Sequence, residues 1–392
     1  MVRWSLVAAA LGVFVLGFAR PAAAIGYTTI DLNPSGFTTS EAFGVSGGQQ
    51  VGSGAVSGTN PHALLWSGTA ASAVDLNPPF FLASEALGVS GGQQVGAGVG
   101  LSTGVQSHAL LWTGTAGSAV DLNPLSGYDF SIGTGVSGGQ QVGYGWGTAT
   151  DATFPAINHA LLWTGTAASV VDLNPSGFDN SQANAVSGGQ QVGAGAPRGV
   201  ETHALLWTGT GGSAVDLHPS GFFSSGATGV SGGQQVGVGV TPGGDNHALL
   251  WMGTAASVVD LNPGGFASSE AHDVSGGQQV GFGHGALTGG NDHALLWMGT
   301  AASVVDLNAF LPTGFTTAEA FGIDASGDIV GWASGPASGG LNHAFLWEPV
   351  APPAVPEPSS LVLVSTGLAG LGISWRRRVR QGLTHGSRSA KI

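Results

Sequence analysis

The sequence predicts an all-β fold, a β-propeller of seven four-stranded blades. Three observations carry this: a repeat of about 47 residues, four short strand-like blocks in each copy, and a chain that opens on the last block of a unit and closes on the third.

The repeat is marked by HALLW or its variant, starting at His62, His108, His159, His203, His247, His293 and His343, which is 281 residues over six intervals. Within HALLW, His62, Leu64 and Trp66 share one side and Ala63 and Leu65 the other, as in a strand packed between two sheets. EAFGVS and QQVGSG flank a Ser-Gly-Gly turn signal and read as a hairpin. SAVDL is short and β-branched and is closed by Asn-Pro, which turns the chain. The blocks follow the order A (EAFGVS), B (QQVGSG), C (HALLW) and D (SAVDL). Residues 27–33 form a D block with no C before it, and residues 343–349 a C block with no D after it. Pairing the two would complete the seventh blade and remove the sheet edges of the ring. A β-solenoid or repeat array is the alternative, but it would rather carry capping units, which this sequence lacks.

Composition narrows function. The 392 residues include 70 Gly, 19 Pro and no Cys, so disulfides and thiolate metal sites are excluded. The glycines follow no three-residue period, which excludes collagen. Residues 25–355 carry 21 acids and a single base, Arg198, a balance of −20 that repels phosphate backbones and excludes nucleic acid as a partner.

The two ends read as addresses. Residues 1–24 have Arg3, an apolar run from Leu6 to Phe18 and a small-residue A-x-A site, the pattern of a signal peptide cleaved before Ile25. Residues 25–349 hold the repeats and residues 350–358 a Pro-rich linker. An apolar membrane segment at 359–375 and a basic tail at 376–392 follow, with the tail expected to stay in the cytoplasm. The apolar part is shorter than the roughly 20 residues of a standard span, so transient insertion is expected. Pro356, Glu357 and Pro358, the apolar stretch, and Arg376, Arg377 and Arg378 together resemble the PEP-CTERM sorting signal of Gram-negative bacteria that make exopolysaccharide. The resemblance implies an exosortase-type membrane protease as partner and release to the cell surface or biofilm matrix. The motif also carries an association with ice binding, which an address by itself does not establish. The last unit, GIDASGDIVGWASGPASGGLNHAFLW, resembles the extracellular HAF repeat; the other six copies have Leu where that name has Phe.

Seven His and seven Asp in register suggest metal or acid-base chemistry, yet a residue present in every blade serves what every blade needs. His62, Trp66, Asp75, His108, Trp112 and Asp121 are therefore assigned to structure, the polar ones satisfying groups at the blade margins and the Trp rings filling the space between blades. The A–B and C–D turns are almost invariant, whereas the B–C loops vary, so variation falls on one face. Tyr144, Trp146, Asp151, Arg198, Asp245, Asn291, Asp292 and Trp332 are the ligand-binding candidates, Trp to stack on a sugar and Asp or Asn to bond its hydroxyls. Asp324 and Asp328 in DASGD resemble calcium ligands without a full EF-hand or RTX loop, and no other cofactor is implied. No H-E-x-x-H or phosphate loop occurs, and no G-x-S-x-G nucleophile elbow: the GVSGG letters belong to a repeated turn block with no following helix. The expectation is a non-enzymatic exported protein binding polysaccharide or protein, with a polysaccharide-processing hydrolase or lyase as alternative and ice binding ranked last.

Overall fold

The computed structural model describes residues 26–148 and 157–350; both terminal addresses and Asp151 lie outside the described residues. It shows a ring of seven four-stranded antiparallel sheets. Blade 1 comprises strands A to D at Thr39–Ser46, Gln49–Ala55, His62–Trp66 and Val74–Asp75. Blades 2 to 6 repeat that order. Blade 7 takes strands A to C from Thr317–Ile323, Ile329–Ser334 and His343–Pro349, and its fourth strand is Tyr27–Asp31. Tyr27 pairs with Pro349 and Asp31 with Phe345, so the opening segment closes the ring as expected.

Strand D is shorter than the SAVDL block suggests. Only Val74 and Asp75 pair with strand C. The preceding Ala70–Ser72 forms a 3-10 turn in which Ser72 Oγ accepts the Ser67 N–H at 2.8 Å and donates to Thr69 O at 2.6 Å. The chain therefore reaches strand C late, and in blades 1 to 6 the outer strand is two residues long, too short to recruit another strand.

Local chemistry explains the hairpin. Gly47 and Gly48 sit at φ +57° and +79°, the left-handed pair of a type I′ turn. A bulge between Ala42 and Gly44 then brings strand A against strand B. A Cβ on Gly52 would overlap the Glu41 carbonyl, so only glycine fits there.

Packing lies between blades. Leu64 and Trp66 meet Val330 and Leu346 of blade 7, whereas Ala63 and Leu65 face blade 2 with Ala86 and Trp112. All seven HALLW-type Trp side chains are fully buried. Trp347 Nε1 donates to Leu307 O at 3.3 Å, while the other six indole N–H groups find no acceptor among the described residues, and bulk burial outweighs that loss.

The seams are also stapled by polar groups. Ser84 Oγ on strand A of blade 2 accepts the Ala63 N–H of blade 1 at 3.0 Å and donates to Asn77 Oδ1 at 2.7 Å. At the closing seam Ser40 makes the same bonds, to the Ala344 N–H and to Asn33 Oδ1. Ser40→Ala should leave both groups unpaired and cost about 1–3 kcal/mol. It should also speed hydrogen exchange in residues 27–31, whereas Ser181→Ala at an internal seam should leave their exchange unchanged. Equal protection in both variants would show that the ring does not depend on this closure.

Candidate recognition face

The A–B and C–D turns lie on one side of the ring, and the B–C and D–A loops on the other. On the loop side every blade has a His–Asp pair with Nδ1 to Oδ2 distances of 2.7 to 2.9 Å. The other Asp75 oxygen accepts the Asn77 N–H, and Asn77 Nδ2 donates to Phe81 O. His62, Asp75, His108 and Asp121 thus bind one another and the loop backbone, and they hold the D–A loop at the blade margin. In one loop His218 replaces the Asn, bonds Ser225 Oγ at 2.9 Å and stacks on His203 at 4.1 Å.

Apart from Asp151, the ligand-binding candidates share this side but are spread over five blades, and their contacts are local. Trp146 stacks on Phe130 at 3.4 Å between ring centroids, so one of its faces is already covered. Tyr144 lies beside it on the same strand, its phenol pushed up by burial and by Glu85. Arg198 is exposed and bonds Asp179 at 2.9 Å. Asp245 closes its own loop through Thr241, and Asp292 pairs with His284 at 3.0 Å. Asn291 lines a shallow recess with His293, Asn308 and Phe315. Trp332 is half-buried on strand B of blade 7, opposite Glu319. Asp324 is a turn cap: one oxygen accepts the Gly47 N–H of blade 1 at 3.1 Å, and the other accepts from Ser326 and Asp328.

Strand A lines a central channel with Phe43, Leu87, Thr134, Asn184, Thr228, His272 and Phe321. Four of these lean on the next blade through hydrogen bonds: Thr134 to Ala183 O, Asn184 to Ala227 O, Thr228 to Ala271 O and His272 to Ala320 O. The rings also meet across the seams, His272 stacked on Phe321 at 4.8 Å and Phe43 edge-on to Phe321 at 5.6 Å.

Two residues earlier on the same side of strand A, toward the loop face, stand Glu270, Glu319, Glu41 and Glu85 on four consecutive blades. Sequence reasoning passed over them because they sit inside a repeated block. The signal was there: the same position carries Ile132, Gln182 and Gly226 in the other three copies. Asn342 donates to Glu41 and Asn246 to Glu270, each at 2.7 Å. The His272 ring beside Glu270, with Asn246, holds that carboxyl below its usual range. Burial pushes Glu319 up to about 7, with Asp292, Glu270 and Glu41 adding to the rise and His272 opposing it. Burial and Glu41 likewise raise Glu85. Asp273, in the channel wall, reaches about 6 through burial, although it accepts the Ile323 and Val274 N–H groups.

Residues 354–378 match the PEP-CTERM protein-sorting motif. The motif marks the chain for export and sorting. No curated protein matches. Among solved structures, the β-propeller domain of the Trilobed protease from Pyrococcus furiosus is similar, with TM-score 0.53 and 9% identity, over 82% of this chain and all of that one. A puromycin hydrolase mutant complexed with PGG aligns with TM-score 0.50 and 11% identity, over 78% of this chain. The chain spans about half of that hydrolase, 53% of its length. At such identities the likeness concerns the fold alone.

The raised Glu319 has a consequence for stability. Its folded pKa lies above the unfolded value, so the folded state holds the extra proton between about pH 4.5 and 7. Stability should therefore fall as pH rises through that window. Glu319→Gln should match the parent near pH 4.5 and melt higher than it at pH 8; thermal melts across that range check this, and parallel curves would contradict it.

Proposed function

We propose that this protein is an exported, non-enzymatic recognition module that binds polysaccharide or protein through the B–C and D–A face of its propeller, at the cell surface or in the matrix of a Gram-negative bacterium. The observation that supports it most is the division of the ring. Residues shared by all blades are committed to staples, turns and Trp packing, while chemical variety is gathered on one face around the channel mouth. Residues 25–355 have a formal balance of −20, which disfavours acidic polymers and favours neutral glycans or basic proteins. An exosortase-type protease would process the tail at Pro356, Glu357 and Pro358, with residues 359–375 inserting in the membrane beforehand. The reading invokes no cofactor. Calcium at Asp324 and Asp328 would have to displace the N–H donors that Asp324 already accepts.

One observation favours the alternative, a polysaccharide-processing hydrolase. Glu319 is raised and Glu270 lowered at the same mouth, the split that separates a general acid from a base. That reading needs a glycosidic bond seated between them, whereas the binding reading needs only the face itself.

Binding of neutral exopolysaccharide fractions to the full chain should weaken about tenfold or more in Trp332→Ala. Turnover of the same fractions, abolished in Glu319→Gln, would establish the enzyme instead. Binding that ignores every substitution on this face would refute the recognition reading.

A further inference from the structure

Among the described residues only two non-glycine residues have positive φ, Phe80 at 71° and Val105 at 65°. Both belong to blade 2, on the loop face. At the position of Phe80 the other six blades carry Gly36, Gly127, Gly177, Gly221, Gly265 and Gly314, all left-handed. At the position of Val105 the two related 3-10 loops carry Gly290 and Gly340, again left-handed. A bulky or β-branched residue is strained in this conformation, where glycine is not. Blade 2 thus keeps two strained apolar residues where its sister loops keep none.

Nor does burial compensate. Phe80 is 82% exposed, Leu101 73% and Val105 58%, and neighbouring Leu82 is exposed too. Their backbones adjoin: the Val105 N–H bonds Gly100 O at 2.9 Å, and Gly100 lies against the Phe80 carbonyl. A recess of about 180 Å³ lies along the same strands, its walls including Pro61, Val99, Glu85 and Ala83, the residue after Leu82. Strain retained to display apolar side chains next to a recess is the character of an anchor site.

The chemistry selects the partner. Three of the four side chains are aliphatic and none of the four carries a polar group for sugar hydroxyls, so the patch suits protein better than glycan. A second copy would bring another surface balance of −20, with Arg198 already paired to Asp179. We infer that the blade 2 patch of Phe80, Leu82, Leu101 and Val105 docks a basic protein segment, an apolar side chain entering the recess and a flanking Lys or Arg meeting Glu85. This inference rests on the recognition reading of the loop face and specifies its partner.

The test uses the full chain and three labelled probes: a 12-residue Leu/Arg peptide, the same peptide with Glu for Arg, and a neutral hexasaccharide. The Leu/Arg peptide should bind and the Leu/Glu peptide should not. Phe80→Gly combined with Val105→Gly should weaken the Leu/Arg peptide about tenfold or more. Net charge is unchanged in that variant, and its Tm should hold or rise because it restores the glycines of the other blades. No binding of the Leu/Arg peptide, undiminished binding by the double variant, capture of the hexasaccharide through Phe80, or dimerisation through the patch would each overturn the inference. If the double variant binds normally while Trp332→Ala does not, the recognition face survives and only its blade 2 assignment fails.

Discussion

Six of the seven seams between blades are fastened by a buried serine hydroxyl that bridges two chain segments. Ser84 takes the backbone N–H of Ala63 in the preceding blade and gives its proton to Asn77 in the connecting loop. Because that bond joins strand A of one blade to strand C of the last, a blade cannot slide against its neighbour without breaking it. Where blade 7 has Ala318 in place of serine, Asn308 Oδ1 of the connecting loop accepts the Ala294 N–H directly at 2.9 Å, so that N–H stays paired without a side-chain link from strand A. The closing seam obeys the same rule although its partners are 304 residues apart in the chain.

That constraint sorts the residues of the repeat. Ser, Asn, His and Asp hold the loop margin, Trp and Leu fill the seam, and glycine occupies each hairpin turn and the strand B position packed against the strand A backbone. What is left free on strand A is the position of Glu41 and the channel position of Phe43, and these are where the blades differ. The ring is consequently near-symmetric in backbone and lopsided in chemistry: blades 6, 7, 1 and 2 bring carboxylates to the channel mouth, and blades 3 to 5 bring Ile132, Gln182 and Gly226. A carboxylate arc of this kind raises Glu319 because burial and like charges meet there, a circumstance no single blade creates.

The blocks HALLW and QQVG could be read as strands from their alternation, and the offset of residues 27–33 announced the closure. SAVDL could not be placed correctly from pattern alone. Its β-branched residues suit a full strand, but the Ser72 hydroxyl competes by tying the chain into a 3-10 turn, which leaves two paired residues. Trp146 was marked for its chemistry, yet Phe130, which no pattern links to it, covers one of its faces. The glutamates escaped notice for the opposite reason, since each lies within a segment whose neighbours repeat.

Length, period, block order and charge are local or additive properties, so the amino-acid sequence by itself determined the propeller class, the number of blades, the acidic surface and the sorting motif at residues 354–378. The tertiary structure alone decided which side chains share a surface and what each costs to keep there. Phe80 differs from Gly36 by one letter in a loop, and only the backbone angle of +71° and an outward-facing ring show that blade 2 carries strain its sisters do not. That information resides in torsions and in distances across seams, which arise only when the ring is closed.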